Sequence, residues 1–269
     1  MYLIGTDEGL FKLNGKELER ITDEYAVNDA ILPYVCSPDV GVVTVRGEKV
    51  IREGCWRLYK DKNEVYASIE GPKIYEIKGE EARLVLDLTK EGEKLGWEFP
   101  HGPPHITDFT AFKGNIVATV EEGNLLIGET FEKLKPLDFF ADMHNLMVKN
   151  DILFIATAYG VYITRDLKNF EKVVSGYAHG LEDLGDYIVL QVMSQEPLMI
   201  SKDGRSWEKL SVKLPRPTFG ETSIVKIDRR SIIYSTTAVY QVDIVEQSAR
   251  KLVDNIPLTR RIKVFEELL

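Results

Sequence analysis

The chain has 269 residues, 44% of them apolar, enough to bury a sizeable core. Its formal charge of -9, with acids and bases interspersed and no basic stripe, excludes a nucleic-acid or anionic-membrane partner. No run of ~18 apolar residues occurs, and "MYLIGTDEGLF" lacks the basic and long apolar regions of a secretory leader, so neither a membrane span nor secretion is expected and the expected compartment is the cytoplasm.

In chain order, "YLIGTDEGLFKLNGKELERI" supplies three short strands. Residues 25–54 and 55–90 each fit, more weakly, a unit of four short apolar runs; Cys36 lies inside the first and Cys55 opens the second. With no C-x-x-C spacing, the pair reads as two small core residues, a single bridge being the other reading. Residues 91–105, "EGEKLGWEFPHGPPH", form the longest link between units. Three clearer units follow, from Ile106, Asn145 and Gly180, and a weaker one covers 219–255. In each clear unit a first run ends in a polar turn (Lys113-Gly114-Asn115, Lys149-Asn150-Asp151, Leu184-Gly185-Asp186), a β-branched run follows, and a fourth run opens at Phe131, Phe170 or Trp207. No segment keeps a helical period, and short runs divided by turn signals predict antiparallel strands.

A period of about 35 to 42 residues with four strands per unit predicts a single all-β domain over 1–269, a β-propeller. The three N-terminal strands lack a first strand, and "RRIKVFEELL" at the C-terminus can supply it, closing the ring in one composite blade. Counting that blade gives seven; six blades is the alternative if residues 25–54 are too short for four strands. Charged residues reach 29% while only four glutamines occur, a bias of proteins from hot environments.

The stretch "TRDLKNFEK" returns 37 residues later as "SKDGRSWEK". This turn, between third and fourth strands, resembles the Asp-box or BNR repeat of sialidases, sortilin-type receptors and photosystem-assembly propellers, with one turn residue fewer in "SKDGRSW" and no glycine in "TRDLKNF". The resemblance implies that Thr164 and Asp166, or Ser201 and Asp203, bond backbone amides of the turn while Phe170 or Trp207 sits between blades. A sialidase would need an F/Y-R-I-P element and three arginines, and "RRIKVF" at Arg260 has lysine in place of proline at the wrong end of the chain. Asp108, Asp142, Glu182 and Glu221 near first-strand ends are the carboxylates a glycosidase could use. Phosphate loops, G-x-S-x-G elbows and H-E-x-x-H motifs are missing.

Three of the four histidines, His105, His144 and His179, stand at the same point of successive units, 39 and 35 residues apart, with Glu221 at that point of the next. First strands line a propeller's channel, so these groups are expected to converge at one mouth. They form a candidate site for a transition metal (zinc, iron or copper), or else a structural hydrogen-bond network. Loops on the same edge bring Trp97, Phe99, His101, Phe139 and Phe140, candidate ligand-contacting residues beside that mouth. With no complete catalytic constellation, the expectation is a monomeric binding or assembly propeller for a protein or small-molecule ligand. A three-histidine metalloenzyme and a carbohydrate binder or glycoside hydrolase are the alternatives.

Overall fold

The computed structural model, described over residues 1–98, 102–217 and 223–268, is a seven-bladed β-propeller of four-stranded antiparallel blades. Blade I pairs Thr259–Val264 with Tyr2–Thr6, Gly9–Asn14 and Glu17–Arg20. Blades II to VII follow along the chain over residues 29–51, 55–87, 106–141, 143–175, 178–209 and 224–253. Residues 29–51 hold four strands of only three or four residues each, Asp29–Ile31, Tyr34–Ser37, Gly41–Thr44 and Lys49–Ile51, which is enough to make the seventh blade.

Blade V shows why these residues take this form. Met143–Lys149 pairs with Ile152–Thr157 across Asn150 and Asp151, both at positive φ (49° and 56°). That conformation suits a tight hairpin, and Asn and Asp tolerate it best after glycine. Ile152–Thr157 is buried throughout, while the outermost strand, Glu171–Ser175, is largely polar and open. A strand covered on both faces reads as an unbroken apolar run, and an edge strand carries charge.

The core is divided among the blade interfaces: seven apolar clusters occupy the seven gaps, for example Phe154, Ile188 and Leu190 between blades V and VI, and Ile4, Ile233 and Ile262 between VII and I. Around the channel the blades are laced by polar side chains of the inner strands. Asp29 accepts the amide of Leu58 (3.1 Å), Asp108 that of Leu146 (2.9 Å), and Asn145 that of Leu181 (3.0 Å). Each thereby satisfies a backbone N–H that the next blade's inner edge would otherwise leave unpaired. Arg57, between two of these positions, donates to the carbonyl of Thr107 (2.7 Å) and lies 3.6 Å from Asp108.

The repeated turn holds the bonds its side chains suggest. Asp166 accepts the amides of Lys168 and Asn169, and Asp203 those of Arg205 and Ser206, at 2.7–2.9 Å. These amides, led by those of Asn169 and Ser206, hold both carboxyls well below the ordinary carboxylate range. Thr164 and Ser201 accept the amides of Leu167 (3.0 Å) and Gly204 (2.8 Å). Phe170 stacks on Phe139 of the preceding blade at 4.1 Å, and Trp207 packs in the cluster between blades V and VI.

Two local features differ from the sequence reading. Cys36 and Cys55 form a disulfide, with Cα atoms 5.1 Å apart. The second strand of blade II and the first residue of blade III are neighbours across a blade interface, so 19 residues of separation collapse to bonding distance. The link between blades III and IV contains a seven-residue helix, Thr89–Leu95, closed by Gly96 in the left-handed conformation (φ 71°). Gly92 in that helix lies flat against Trp97, where a Cβ would come within 2.6 Å of the indole.

Candidate functional site at the channel mouth

The links from each blade's fourth strand to the next blade's first, and the turns between second and third strands, lie on one face of the disk. His105, Glu121, Asp142, Tyr177 and the start of the inner strands at His144 and His179 all belong to that face. In four successive blades the pairing register shifts at the start of the first strand, at Trp56, Thr107, His144 and His179-Gly180. An extra residue at such a shift re-aims its side chain, a device common beside binding sites. His144 and His179 are therefore structural equivalents. His105 is not: its blade puts Thr107 at that place, with His105 two residues upstream.

The three histidines accordingly do not form one ring of equivalent ligands. His105 stacks on Trp56 of the preceding blade (3.6 Å, 10°) and its Nε2 lies 2.6 Å from Glu121 Oε2. His144 stacks on His179 (4.0 Å, 15°), with Tyr177 tilted against both rings. All three imidazoles are buried. His144 Nδ1 is 2.8 Å from the carbonyl oxygen of Ala178, and its Nε2 is 3.1 Å from Asp142 Oδ1. Burial disfavours a charge on His144, yet Asp142 outweighs it and raises the imidazole above its ordinary value. His179 is driven well below, first by burial and then by His144.

The acidic groups converge where the histidines do not. Ligand atoms of Glu121, Asp142 and His144 all lie within 4.8 Å of one another. Burial, with help from Asp142, Glu121 and Glu98, raises the Glu122 carboxyl. Burial and the charges of Asp142, Glu121 and Glu122 push the Tyr177 phenol up to about 12. Neither Glu121 nor Glu122 stood out in the sequence, because a turn between second and third strands carries no repeat signal of its own.

The aromatic candidates separate. Trp97 is 5% exposed, a core residue between blades III and IV whose indole donates to Asn124 Oδ1 (2.7 Å); it seals a blade end instead of facing a ligand. Phe139 is half-buried against Phe170 and Tyr162. Phe140 is exposed, as are Tyr159 and Tyr177 on the same face. Phe99, His101 and Glu221 lie outside the described residues.

Of the carboxylates considered for glycoside hydrolysis, Asp108 is buried in the inter-blade lacing, and burial raises it despite Arg57. Glu182 is pushed up to about 7 by burial. A carboxyl raised in the folded state weakens folding as pH climbs from its unfolded value near ~4.3 to its folded one, because the native protein resists ionisation. Replacing Glu182 by Gln is thus expected to raise the melting temperature at pH 8 and leave it nearly unchanged at pH 4.5. Thermal melts of both proteins at the two pH values check this, and equal shifts at both would show that ionisation is not the cause.

No family model and no curated protein matches the sequence. Among solved structures, the computationally designed Ika8 protein is similar with a TM-score of 0.63 at 12% identity, over 96% of this chain and 86% of that one. A chain of the nidogen/laminin complex is similar with a TM-score of 0.59 at 10% identity, over 97% and 96%. The extracellular domain of the putative hybrid two component system BT3049 from B. thetaiotaomicron matches at 0.57 and 13% identity, where this chain covers 95% of itself and 38% of that protein. At such identities the likeness is one of fold, and it places the chain among β-propellers.

Proposed function

We propose that this is a non-catalytic binding propeller whose mouth face takes a lysine- or arginine-bearing segment of a protein partner. One observation carries the reading: Phe140, Tyr159 and Tyr177 expose their rings on the face that gathers Glu121, Glu122 and Asp142. Aromatic faces beside carboxylates favour cationic groups, through ring quadrupole and charge alike. The net charge of -9 adds long-range attraction for a basic partner and favours a monomer. A propeller of this fold occurs in a nidogen/laminin complex, which supports a protein as partner. The turns at Thr164–Phe170 and Ser201–Trp207 are best read as Asp-box-like, and they lie on the opposite face, where they serve architecture.

For compartment we propose the cytoplasm. The Cys36–Cys55 bridge fits it in an organism of hot environments, whose intracellular proteins are disulfide-rich, and the charge-rich, glutamine-poor composition points the same way.

The test is titration with peptides of equal length, one Lys/Arg-rich and one Glu-rich, followed by ionic strength. The basic peptide is expected to bind at least tenfold more tightly, to weaken with salt, and to be lost in a Tyr159→Ser, Tyr177→Ser double variant. Equal binding of both peptides, or binding of glycans alone on an array, would refute the reading.

A further inference from the structure

We infer that Glu121, Asp142 and His144 form a binding site for a divalent transition-metal ion, with His105 holding Glu121 from behind. The inference shares Glu121 and Asp142 with the partner reading, but its test uses the metal alone, so either can fail without the other.

The first observation is convergence. Two carboxylates and one imidazole, from a turn of blade IV, the IV–V link and the first strand of blade V, bring ligand atoms within 4.8 Å of one another at the mouth. Oxygen and nitrogen donors of this kind suit zinc or manganese, and three protein ligands leave a coordination position open.

The second observation is the orientation of His144. Its Nδ1 faces the carbonyl oxygen of Ala178 at 2.8 Å, and a carbonyl only accepts, so Nδ1 carries the proton. Nε2 faces the carboxylate oxygen of Asp142 at 3.1 Å. A ring nitrogen and a carboxylate oxygen that close need a positive charge between them, either the Nε2 proton of an imidazolium or a metal ion that displaces it. A metal-ligating histidine that donates its other ring N–H to a backbone carbonyl is the usual outer-shell arrangement.

A third observation concerns the neighbours. His105 Nε2, 2.6 Å from Glu121 Oε2, gives Glu121 the outer support that ligating carboxylates have, and Trp56 fixes the His105 ring by stacking. His179, 1% exposed and stacked on His144, has a buried Nε2 with no hydrogen-bond partner among the described residues. It is an unspent nitrogen donor 4.0 Å, ring to ring, from a proposed ligand. This ligand set replaces the three histidines that repeat spacing suggests: of His105, His144 and His179, only His144 is a direct ligand.

The experiment uses the whole chain, stripped with a chelator and then titrated with Zn2+ by calorimetry and with Co2+ by visible absorption at pH 7.5. One equivalent of Zn2+ is expected, with Co2+ ligand-field bands that Zn2+ abolishes. Glu121→Gln and Asp142→Asn are each expected to weaken Zn2+ at least 100-fold, and His105→Gln by about 10-fold as a supporting residue. His144→Gln can disturb blade packing, so the deciding variant is Glu121→Gln, in the turn between the second and third strands of blade IV, with circular dichroism showing that it folds. If the wild type binds no Zn2+ below millimolar concentration, the positive charge between His144 and Asp142 is a proton and the inference fails. It fails equally if Glu121→Gln and Asp142→Asn bind Zn2+ as the wild type does.

Discussion

Removing residues 259–269 is expected to lower the melting temperature by more than 10 °C and to produce concentration-dependent association. Thr259–Val264 is the inner strand of blade I, paired with Tyr2–Thr6 from Tyr2↔Val264 to Thr6↔Thr259. Its loss takes Ile262 out of the VII–I core, where a buried isoleucine is worth about 1.5–3 kcal/mol. It also strips Arg261 and Lys263 from the buried Asp29 and bares the amides and carbonyls of Tyr2–Thr6 as an open edge. For a chain of this size each kcal/mol shifts the midpoint by roughly 2–4 °C. Truncating only residues 265–269 keeps the strand and removes the backbone bonds that tie Leu32 to Glu266 and Leu268, so a smaller loss is expected. Melts and size-exclusion profiles of the two truncations against the full chain decide the matter. Equal behaviour of the longer truncation and the wild type would mean that the ring does not depend on this closure.

Asp29→Ala is expected to be the most damaging single substitution, at about 3–5 kcal/mol, the usual consequence of removing one partner of a buried ion pair. The side chain of Asp29 has no exposure, accepts the amides of Ala30 and Leu58, and faces Arg261 Nε at 3.6 Å and Lys263 Nζ at 3.4 Å. Burial would lower the Lys263 ammonium, but Asp29 and then Glu266 outweigh it and hold it above its ordinary value. Without the carboxylate, two largely buried cations on the inner strand of blade I lose their counter-charge at the I–II interface. Asp29→Asn keeps one acceptor oxygen, for Leu58, and loses the charge together with the second oxygen, which accepts the Ala30 amide. Urea melts of both variants separate the contributions, and an Asn variant as stable as the wild type would show that the charge is not what matters.

The architecture was legible in the sequence because a propeller repeats its apolar runs and turns at a fixed period, and blades IV to VI repeat them clearly. Even the composite blade could be read, since three strands at one end lacked the strand present at the other. The site was legible only in part. Period reports equivalent positions, and it made His105, His144 and His179 look equivalent, whereas register shifts put Thr107 in the place of His105. Asp142 stood out by its place before a first strand, but Glu121 meets it and His144 from a turn that no repeat marks, and Cys36 reaches Cys55 across an interface. Trp97 sits in a link whose composition reads as open loop, but two glycines, Gly92 and Gly123, make a bed that takes its ring inside. Contacts between blades depend on how sheets stack, and a single sequence carries that information only weakly.

The pairing of Tyr2–Thr6 with Thr259–Val264 also sets an order of events on the ribosome. Strands near the beginning of the chain are made first, but their inner partner follows only some 250 residues later. At synthesis rates of about 5–20 residues per second, the nascent hairpin Tyr2–Asn14 presents an unpaired edge for on the order of tens of seconds. The other six blades are each complete as soon as their own strands have emerged, so the ring is assembled progressively and closed in a final long-range step. Nascent-chain capture should accordingly find that early edge occupied by a chaperone until translation passes residue 264.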